Sequence, residues 1–175
     1  MFYLTLIDNE TDRQMFLRLY NEHRDEMFFY AERILGDRML AEDALQEAFI
    51  KIARSMGRLD FSKSPRALLL TVVRNTALSI KGKSLKEEAL SDPDSFPDDK
   101  SSGLENSVHT RINAQRIADI VDGMSDIYSD VFRLRYGHDM TFAQISAVLG
   151  ISVQTAKKRA QRARDEIRKQ LKGEI

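Results

Sequence analysis

An acidic stretch with almost no apolar side chains, residues 91–107 (SDPDSFPDDKSSGLENS), interrupts this chain of 175 residues. It holds two of the three prolines, Pro93 and Pro97, and carries five acids against one lysine. A segment of this composition buries too little apolar surface to offset the entropy lost on ordering it. The sequence therefore predicts two domains, at 8–86 and 108–172, joined by a flexible acidic linker at 87–107.

The charges of the chain balance in total but are segregated along it. There are 27 basic and 27 acidic side chains. Residues 1–90 hold 14 of each sign, residues 91–107 have a net charge of −4, and residues 108–175 have a net charge of +4. Residues 153–172 alone carry eight basic and two acidic side chains. A neutral total therefore does not exclude nucleic acid as a partner of the last segment.

Composition excludes several classes of function. Without cysteine, the chain has no disulfide framework, thiolate zinc site or cysteine nucleophile. The three histidines fall in unrelated segments and no glycine-rich phosphate loop occurs, so neither an enzyme nor a cofactor is predicted. No apolar run approaches the roughly 18 residues of a membrane span, and the N-terminus lacks the basic region of a secretory signal. We therefore expect a soluble, cytoplasmic protein without membrane insertion.

Helical periodicity dominates the first domain. Apolar residues recur at three- and four-residue steps over 16–35, and Gly36 is placed to end that helix in a left-handed conformation. A second helix is predicted over 37–56, and a third over 64–79, where Ser64-Pro65 is a helix start signal. No alternating run indicates a strand. The fold class predicted for the chain is all-α.

The second domain shows the pattern of a helix-turn-helix. Thr141 is the expected N-cap of a short helix, Gly150 supplies the positive φ of a tight turn, and Ser152 caps the helix that follows. An amphipathic helix at 108–121 precedes this motif, as does a helix that Ser125 or Asp126 caps. The residues of that helix expected to pack in the core are Val131, Phe132, Leu134 and Tyr136.

The last helix combines a narrow apolar face with a basic one. Small side chains recur at helical steps on the inner face, which comprises Ala156, Ala160, Ala163, Ile167 and Leu171. In the major groove, lysine and arginine pair with guanine and glutamine pairs with adenine, while other side chains hold phosphates. The side chains expected near bases are Lys158, Arg159, Gln161 and Arg162. Those expected to hold phosphates are Thr155, Lys157 and Arg164. Gln154, on the same outer face, is expected to contact the −35 DNA as well.

The second helix of the first domain carries an acidic cluster formed by Glu42, Asp43 and Glu47. Carboxylates near a helix start favour the helix dipole and often form nothing more than a solvated face. The functional alternative is a face that docks on another protein.

These segments resemble the extracytoplasmic-function sigma factors, the small bacterial initiation factors of RNA polymerase. ILGDRMLAEDALQEAFIKIARSM (34–56) resembles their second conserved region, and SPRALLLTVVRNTAL (64–78) is similar to the third helix of that region. ISVQTAKKRAQRARDEIR (151–168) resembles their fourth region, which recognises the −35 promoter element. The matching segments occur in the order found in the family.

The resemblance implies a promoter-specificity subunit that is not an enzyme. Its implied partners are core RNA polymerase, through the β′ clamp helices and the β flap, promoter DNA and an anti-sigma factor. The residues implied in polymerase binding are Glu42, Asp43, Gln46 and Glu47. The loop at 57–63 matches the part that captures an unstacked base of the −10 element, and Phe61 could stack on that base. The residues expected at −10 DNA are Phe61, Lys63, Arg74, Asn75, Lys81 and Lys83.

Two departures from the family keep alternatives open. Leu68 stands where the family usually has tryptophan, and few basic residues follow Asn75. A sigma relative that docks on polymerase without melting promoters is therefore one alternative. A helix-turn-helix transcription regulator is the other, although such a regulator would not need the AEDALQE helix (41–47).

Overall fold

The computed structural model describes residues 2–61, 64–88 and 108–172, with side chains at 2–61, 64–84 and 114–171. These residues are helical apart from short connections and contain no strand, so the predicted all-α class is confirmed. The chain divides into two compact units. Lys63 and residues 89–107, which form most of the predicted linker, lie outside the described residues.

The first unit is a bundle of three helices, each of which packs against the other two. Helix α1 spans Glu10–Leu35, α2 spans Arg38–Ser55 and α3 spans Pro65–Glu88. The largest fully buried side chains come from all three helices and include Phe16, Met27, Phe49, Ile52, Leu69 and Leu70. The predicted apolar stripes of α1 and α2 therefore do form the core.

The boundary between α1 and α2 lies where the sequence predicts it. Gly36 adopts a φ of 68°, and its N–H donates to the Glu32 carbonyl at 2.7 Å. Asp37 then caps α2, since its Oδ1 accepts the N–H of Leu40 at 2.8 Å. A glycine in the left-handed region followed by an aspartate N-cap turns the chain between two helices within two residues.

Helix α3 is longer than predicted. The expected end at Ser79 is wrong, because the helix continues to Glu88. Gly82 does not stop it, since the only glycines with positive φ in the described residues are Gly36 and Gly150. A glycine inside a helix costs about 1 kcal/mol relative to alanine, which is too little to end a helix without a proline or a left-handed cap.

The N-terminal segment packs on the first bundle. A 3₁₀ turn at Phe2–Leu6 places the ring of Tyr3 between 5.7 and 5.9 Å from the rings of Phe16, Tyr20 and Phe49, measured between ring centroids. Burial raises the pKa of the Tyr3 hydroxyl, Tyr20 adds to this rise and Arg24 opposes it. The packed first unit thus includes residues that precede the predicted start at 8.

The second unit is built around its last helix. Helix α4 spans Val108–Asp122, α5 spans Asp126–Phe132, α6 spans Phe142–Leu149 and α7 spans Val153–Lys172. Helix α7 packs against the other three. Its contact face holds small residues, as predicted, and the buried set includes Val131, Leu134, Met140, Ile145, Ala156, Ala160, Ala163 and Ile167.

One predicted core residue of this unit is wrong. Tyr136 is 47% exposed, although Leu134 is fully buried. The cause is that α5 runs on into a π-helical turn at Arg133–Gly137. A π turn holds more residues than an α turn, so side chains within it, such as Tyr136, no longer keep the α-helical spacing on which the prediction was based.

The turn of the helix-turn-helix is held by short-range hydrogen bonds. Gly150 has a φ of 63°, and the Ser146 hydroxyl donates to the Ile151 carbonyl at 2.5 Å. The Ser152 hydroxyl accepts the N–H of Thr155 at 3.0 Å and so caps α7. The two predicted caps of the helix-turn-helix are confirmed, since Thr141 also caps α6 and forms a capping box with Gln144. At the start of α5, Ser125 occupies the N-cap position but makes no capping hydrogen bond through its side chain.

Replacing Gly150 with alanine is expected to destabilise the second unit by about 1–2 kcal/mol, the cost of a left-handed L-residue. Steric overlap of the new side chain is not the cause of this loss, because a Cβ at position 150 would meet no atom within 4 Å. The same change at Gly82, which is helical and also unobstructed, should instead stabilise the first unit by roughly 0.5–1 kcal/mol. Urea unfolding followed by amide NMR signals in each unit measures both changes. If both substitutions changed the free energy of unfolding in the same direction, the positive φ of Gly150 would not be the cause of the predicted difference.

Candidate functional site

The acidic cluster predicted for polymerase binding forms one continuous exposed face of α2. Glu42, Asp43, Gln46 and Glu47 are all exposed, while the alanines and Phe49 on the other side of the helix are buried. At 100° per residue the four side chains lie within an arc of about 140°. The face carries three carboxylates and one amide.

The carboxylates of this face differ in their contacts. Glu47 accepts an ion pair from Lys51 at 2.7 Å, and Lys51 also donates to the buried hydroxyl of Thr76 at 3.1 Å. Glu47 is therefore tied to α3 through Lys51. Glu42 and Asp43 make no hydrogen bond or ion pair with any described residue, so their charges remain available to a partner.

Met39 belongs to the same face, although it was not among the residues predicted from the sequence. Its side chain is 78% exposed. It lies three and four positions before Glu42 and Asp43, which places it beside them on the helix surface. The available signal was an apolar residue outside the predicted inward stripe of α2. A partner that binds this face would therefore meet a large apolar side chain among the acids.

The candidates for −10 DNA on α3 are spread around its exposed side. Asn75 lies near the centre of that side, because the buried residues Val73, Thr76 and Ala77 occupy the opposite one. Arg74, which is half-buried, and Lys81 flank one edge, and Lys83 flanks the other. The structure thus places Arg74 and Lys81 along one edge of this side, Lys83 along the other, and Asn75 between the two edges.

Phe61, the candidate for base stacking, is only 8% exposed. It lines a cavity of about 500 Å³, between the N-terminal half of α1 and the start of α3, with Leu19, His23 and Arg66 among the other lining residues. Arg66 is held by Glu26 through contacts of 2.5 to 3.0 Å. The ring is thus largely withdrawn from solvent, and its role at −10 DNA stays a prediction, as does that of Lys63.

The basic face of α7 is exposed as predicted. Gln154, Lys158 and Gln161 lie opposite the buried alanines, with Lys157 and Arg164 toward one edge and Thr155 and Arg162 toward the other. Thr155 and Arg159 are half-buried and the remaining six candidates are exposed. All eight lie within the first twelve residues of the helix. A single helix face thus collects the groups that donate to base edges and phosphates.

The candidates on α7 fall into two groups according to their contacts. Within the described part of the chain, Lys157, Lys158 and Arg159 make no ion pair or side-chain hydrogen bond. Gln161 is engaged at both ends, since its amide nitrogen donates to Asp165 at 2.9 Å and its oxygen accepts from Arg164 at 2.5 Å. Such contacts would have to open before Gln161 could pair with an adenine.

Arg162 has a partner on another helix. Its Nη1 donates to the Tyr128 hydroxyl of α5 at 3.2 Å. Tyr128 was not predicted from the sequence, because the two residues stand 34 positions apart and no periodicity links them.

The part of the chain that the structure describes contains no cluster of three or more side chains suited to hold a metal ion. None of its helices has both the length and the apolar composition of a membrane span.

Two family profiles match the chain, one in each unit. Residues 19–83 match Sigma-70 region 2, and residues 114–167 match Sigma-70, region 4. The first match contains α2 and its acidic face, together with most of α1 and α3. The second contains the helix-turn-helix and the basic face of α7.

Curated proteins resemble the chain over most of its length. The ECF RNA polymerase sigma factor SigK of Mycobacterium sp. (strain JLS) is 28% identical over 165 residues, which cover 91% of this chain and 82% of that protein. The ECF RNA polymerase sigma factor SigW of Bacillus subtilis (strain 168) is 26% identical, with 92% and 91% covered.

Solved structures share the fold at low sequence identity. The sigma factor RpoE from Bartonella quintana, in complex with the anti-sigma factor NepR, matches with a TM-score of 0.74 and 19% identity, covering 91% of this chain and 98% of that one. CnrH, in complex with the cytosolic domain of CnrY, matches with a TM-score of 0.64 and 18% identity, covering 93% and 91%. Both matches span most of the chain, including both units.

Proposed function

Because this chain belongs to the extracytoplasmic-function sigma factors of the sigma-70 family, which direct transcription initiation and are not enzymes, we propose how its two units divide the work. The first docks on core RNA polymerase through α2, and the second binds the −35 element through α7. The observation that carries this proposal is the pair of exposed faces of opposite charge, one in each family region. Sigma factors bind both core polymerase and promoter DNA, and each face suits one of them.

The polymerase contact assigned to this chain is the exposed face of α2. Glu42 and Asp43 supply free carboxylates, Gln46 adds a donor and an acceptor, and Met39 supplies apolar area. This chemistry fits a basic surface with an apolar pocket, which we assign to the β′ clamp helices. Opposite charges across an interface raise the rate of association and set its register. We assign the β flap as the partner of the second unit, following the family resemblance.

For the −35 element, we assign the first half of α7 to the major groove. Lys158, Arg159, Gln161 and Arg162 are the base-reading candidates, and Lys158 lies near the centre of the exposed face. Gln154, Thr155, Lys157 and Arg164 surround them and suit phosphate contacts. The N-terminal turns of the second helix of a helix-turn-helix meet the base edges, which is where these side chains are concentrated.

For the −10 element, we assign the exposed side of α3 around Asn75, with Arg74 and Lys81 on its flank. An exposed amide can pair with an unstacked base, and the two cations can hold the phosphates beside it. Phe61 would need to turn outward to stack, because its ring is buried as it stands. Lys63 and Lys83 complete the proposed set.

We further propose that an anti-sigma factor binds this protein. We also propose that the protein works in the cytoplasm, where bacterial polymerase and DNA are found. The support is the shared fold with RpoE and CnrH, which were solved with an anti-sigma factor and with the cytosolic domain of CnrY respectively.

Run-off transcription tests the proposed function directly. Core polymerase, purified without other sigma factors, is combined with the full chain and a library of bacterial promoter fragments, and transcripts are sequenced at their 5′ ends. We expect transcripts that share −35 and −10 sequences, and none without the chain. Binding to core polymerase without any transcript would instead support a docking protein without melting activity.

Two substitutions on α7 separate phosphate contacts from base contacts. Lys157→Ala should weaken binding of the holoenzyme to all promoters alike and lower the slope of log affinity against log salt by about 0.9. Arg162→Ala should cost about 1–3 kcal/mol on the cognate −35 element and relax the preference at one base position. Filter binding over a salt series measures both, and a uniform loss for Arg162→Ala would reassign it to phosphate.

A further inference from the structure

Tyr128 of α5 contacts Arg162, one of the side chains proposed to read bases. The Nη1 of Arg162 donates to the Tyr128 hydroxyl at 3.2 Å. The tyrosine is half-buried. Tyr128 and Arg162 also line a groove of about 540 Å³ that includes Met124, Asp165 and Lys169, at the junction of the α4–α5 turn with α7.

This contact restrains the guanidinium without consuming it. A guanidinium has five N–H donors in a planar fork, and the tyrosine hydroxyl accepts one of them. The Nη2 and Nε edge is left for the O6 and N7 of a guanine, which takes two parallel hydrogen bonds. An arginine already held in one orientation loses less conformational freedom on binding than a free one.

The contrast with the other cations of α7 supports a special role for this pair. Lys158 and Arg159 make no such contact within the described residues, so nothing orients their head groups before DNA arrives. Arg164 is tied to Gln161 on the same helix. Five cations of α7 are predicted to lie at −35 DNA, and within the described residues only Arg162 among them is held from a second helix.

We propose that Tyr128 is a positioning residue that sets base specificity by holding Arg162 in the orientation that pairs with guanine. The proposal rests on the proposed function, namely that α7 recognises the −35 element. Tyr128 itself does not touch the DNA bases; it acts through Arg162.

The test uses holoenzyme made from core polymerase and the full chain, selecting from promoter duplexes randomised over the −35 hexamer. The wild-type holoenzyme should enrich a motif that contains a preferred guanine. Arg162→Ala should abolish the preference for guanine at that one position. Tyr128→Phe, which keeps the ring and removes the hydroxyl, should lower the preference for that guanine by about two- to tenfold and leave the other positions unchanged. The matched control is Tyr136→Phe, which removes an exposed tyrosine hydroxyl of the same unit and should change nothing.

Several results would overturn the proposal. An unchanged motif in Tyr128→Phe would show that the hydroxyl does not position Arg162. Equal losses on every duplex would assign the hydroxyl to a phosphate instead. The double variant with Arg162→Ala should lose no further preference, and an additional loss would mean that Tyr128 acts independently of Arg162. If the wild-type holoenzyme enriched no motif at all, the proposed function would be contradicted as well. If the wild type enriched a motif that Tyr128→Phe left unchanged, only the role of Tyr128 would be contradicted.

Discussion

Combining Asp43→Lys with Glu47→Ala is expected to raise the Kd for core RNA polymerase by about a hundredfold or more. Truncating one partner of an interfacial charge pair costs about 2–5 kcal/mol, and tenfold in affinity corresponds to 1.4 kcal/mol. Asp43 has its charge reversed because its carboxylate is free of described partners. Glu47 is only truncated to alanine. Because Glu47 pairs with Lys51 at 2.7 Å, a lysine at position 47 would repel Lys51. Titration of a fluorescently labelled chain with core polymerase measures the effect.

The matched control makes the same change of charge on α1. Asp25→Lys with Glu10→Ala alters two side chains that are 85% and 71% exposed. We expect at most a severalfold change in Kd, since charges away from an interface act mainly through long-range attraction and salt screens them. Equal losses in the two double variants would assign the effect to net charge and contradict the docking face. Melting curves of both variants serve to check that each remains folded.

Ala160→Asp is expected to unfold the second unit. Ala160 is 2% exposed on the face of α7 that packs against the other helices of that unit. An unpaired carboxylate buried there, with added volume, combines two of the mechanisms that give losses above about 4 kcal/mol. The first unit should keep its stability, because it has its own core of buried side chains. Amide NMR signals from α7 and α2 during urea unfolding of the full chain report on each unit separately.

The neighbouring residue provides the control for this prediction. Gln161→Asp introduces the same side chain one position further along α7, where the residue is exposed. The free energy of unfolding of the second unit should change by about 0.5 kcal/mol or less in this variant, as is usual for surface substitutions. Equal destabilisation by the two variants would mean that burial is not the cause.

Binding to promoter DNA should be lost in Ala160→Asp, since α7 can present its basic face only when its apolar face is packed.

Local signals predicted much of the fold and of the candidate site. Gly36 and Gly150 adopt the left-handed conformation expected of them, and Thr141 and Ser152 cap the helices expected of them. Each of these features depends on atoms within about four residues along the chain, where hydrogen-bond partners follow from spacing alone. The exposed faces of α2 and α7 were predictable for the same reason, since helical geometry assigns each residue to a side.

Three features could not be predicted in this way. Tyr136 is exposed because a π turn rotates it outward, and Phe61 is buried against α1 although it belongs to a polar loop. Tyr3 completes an aromatic cluster with residues of α1 and α2. In each case the outcome depends on which distant surface offers a better fit, and periodicity within one segment contains no information about that surface.

The sequence by itself determined the helical class, the helix starts and stops at the capped junctions, and which side of α2 and α7 faces solvent. Only the tertiary structure decided which of the exposed side chains are free. Glu42, Asp43 and Lys158 have no described partner, whereas Glu47 is tied to α3 through Lys51 and Arg162 to α5 through Tyr128. The reason is physical: exposure follows from local helical spacing, but a hydrogen bond between helices requires that packing bring together residues that are far apart in the chain.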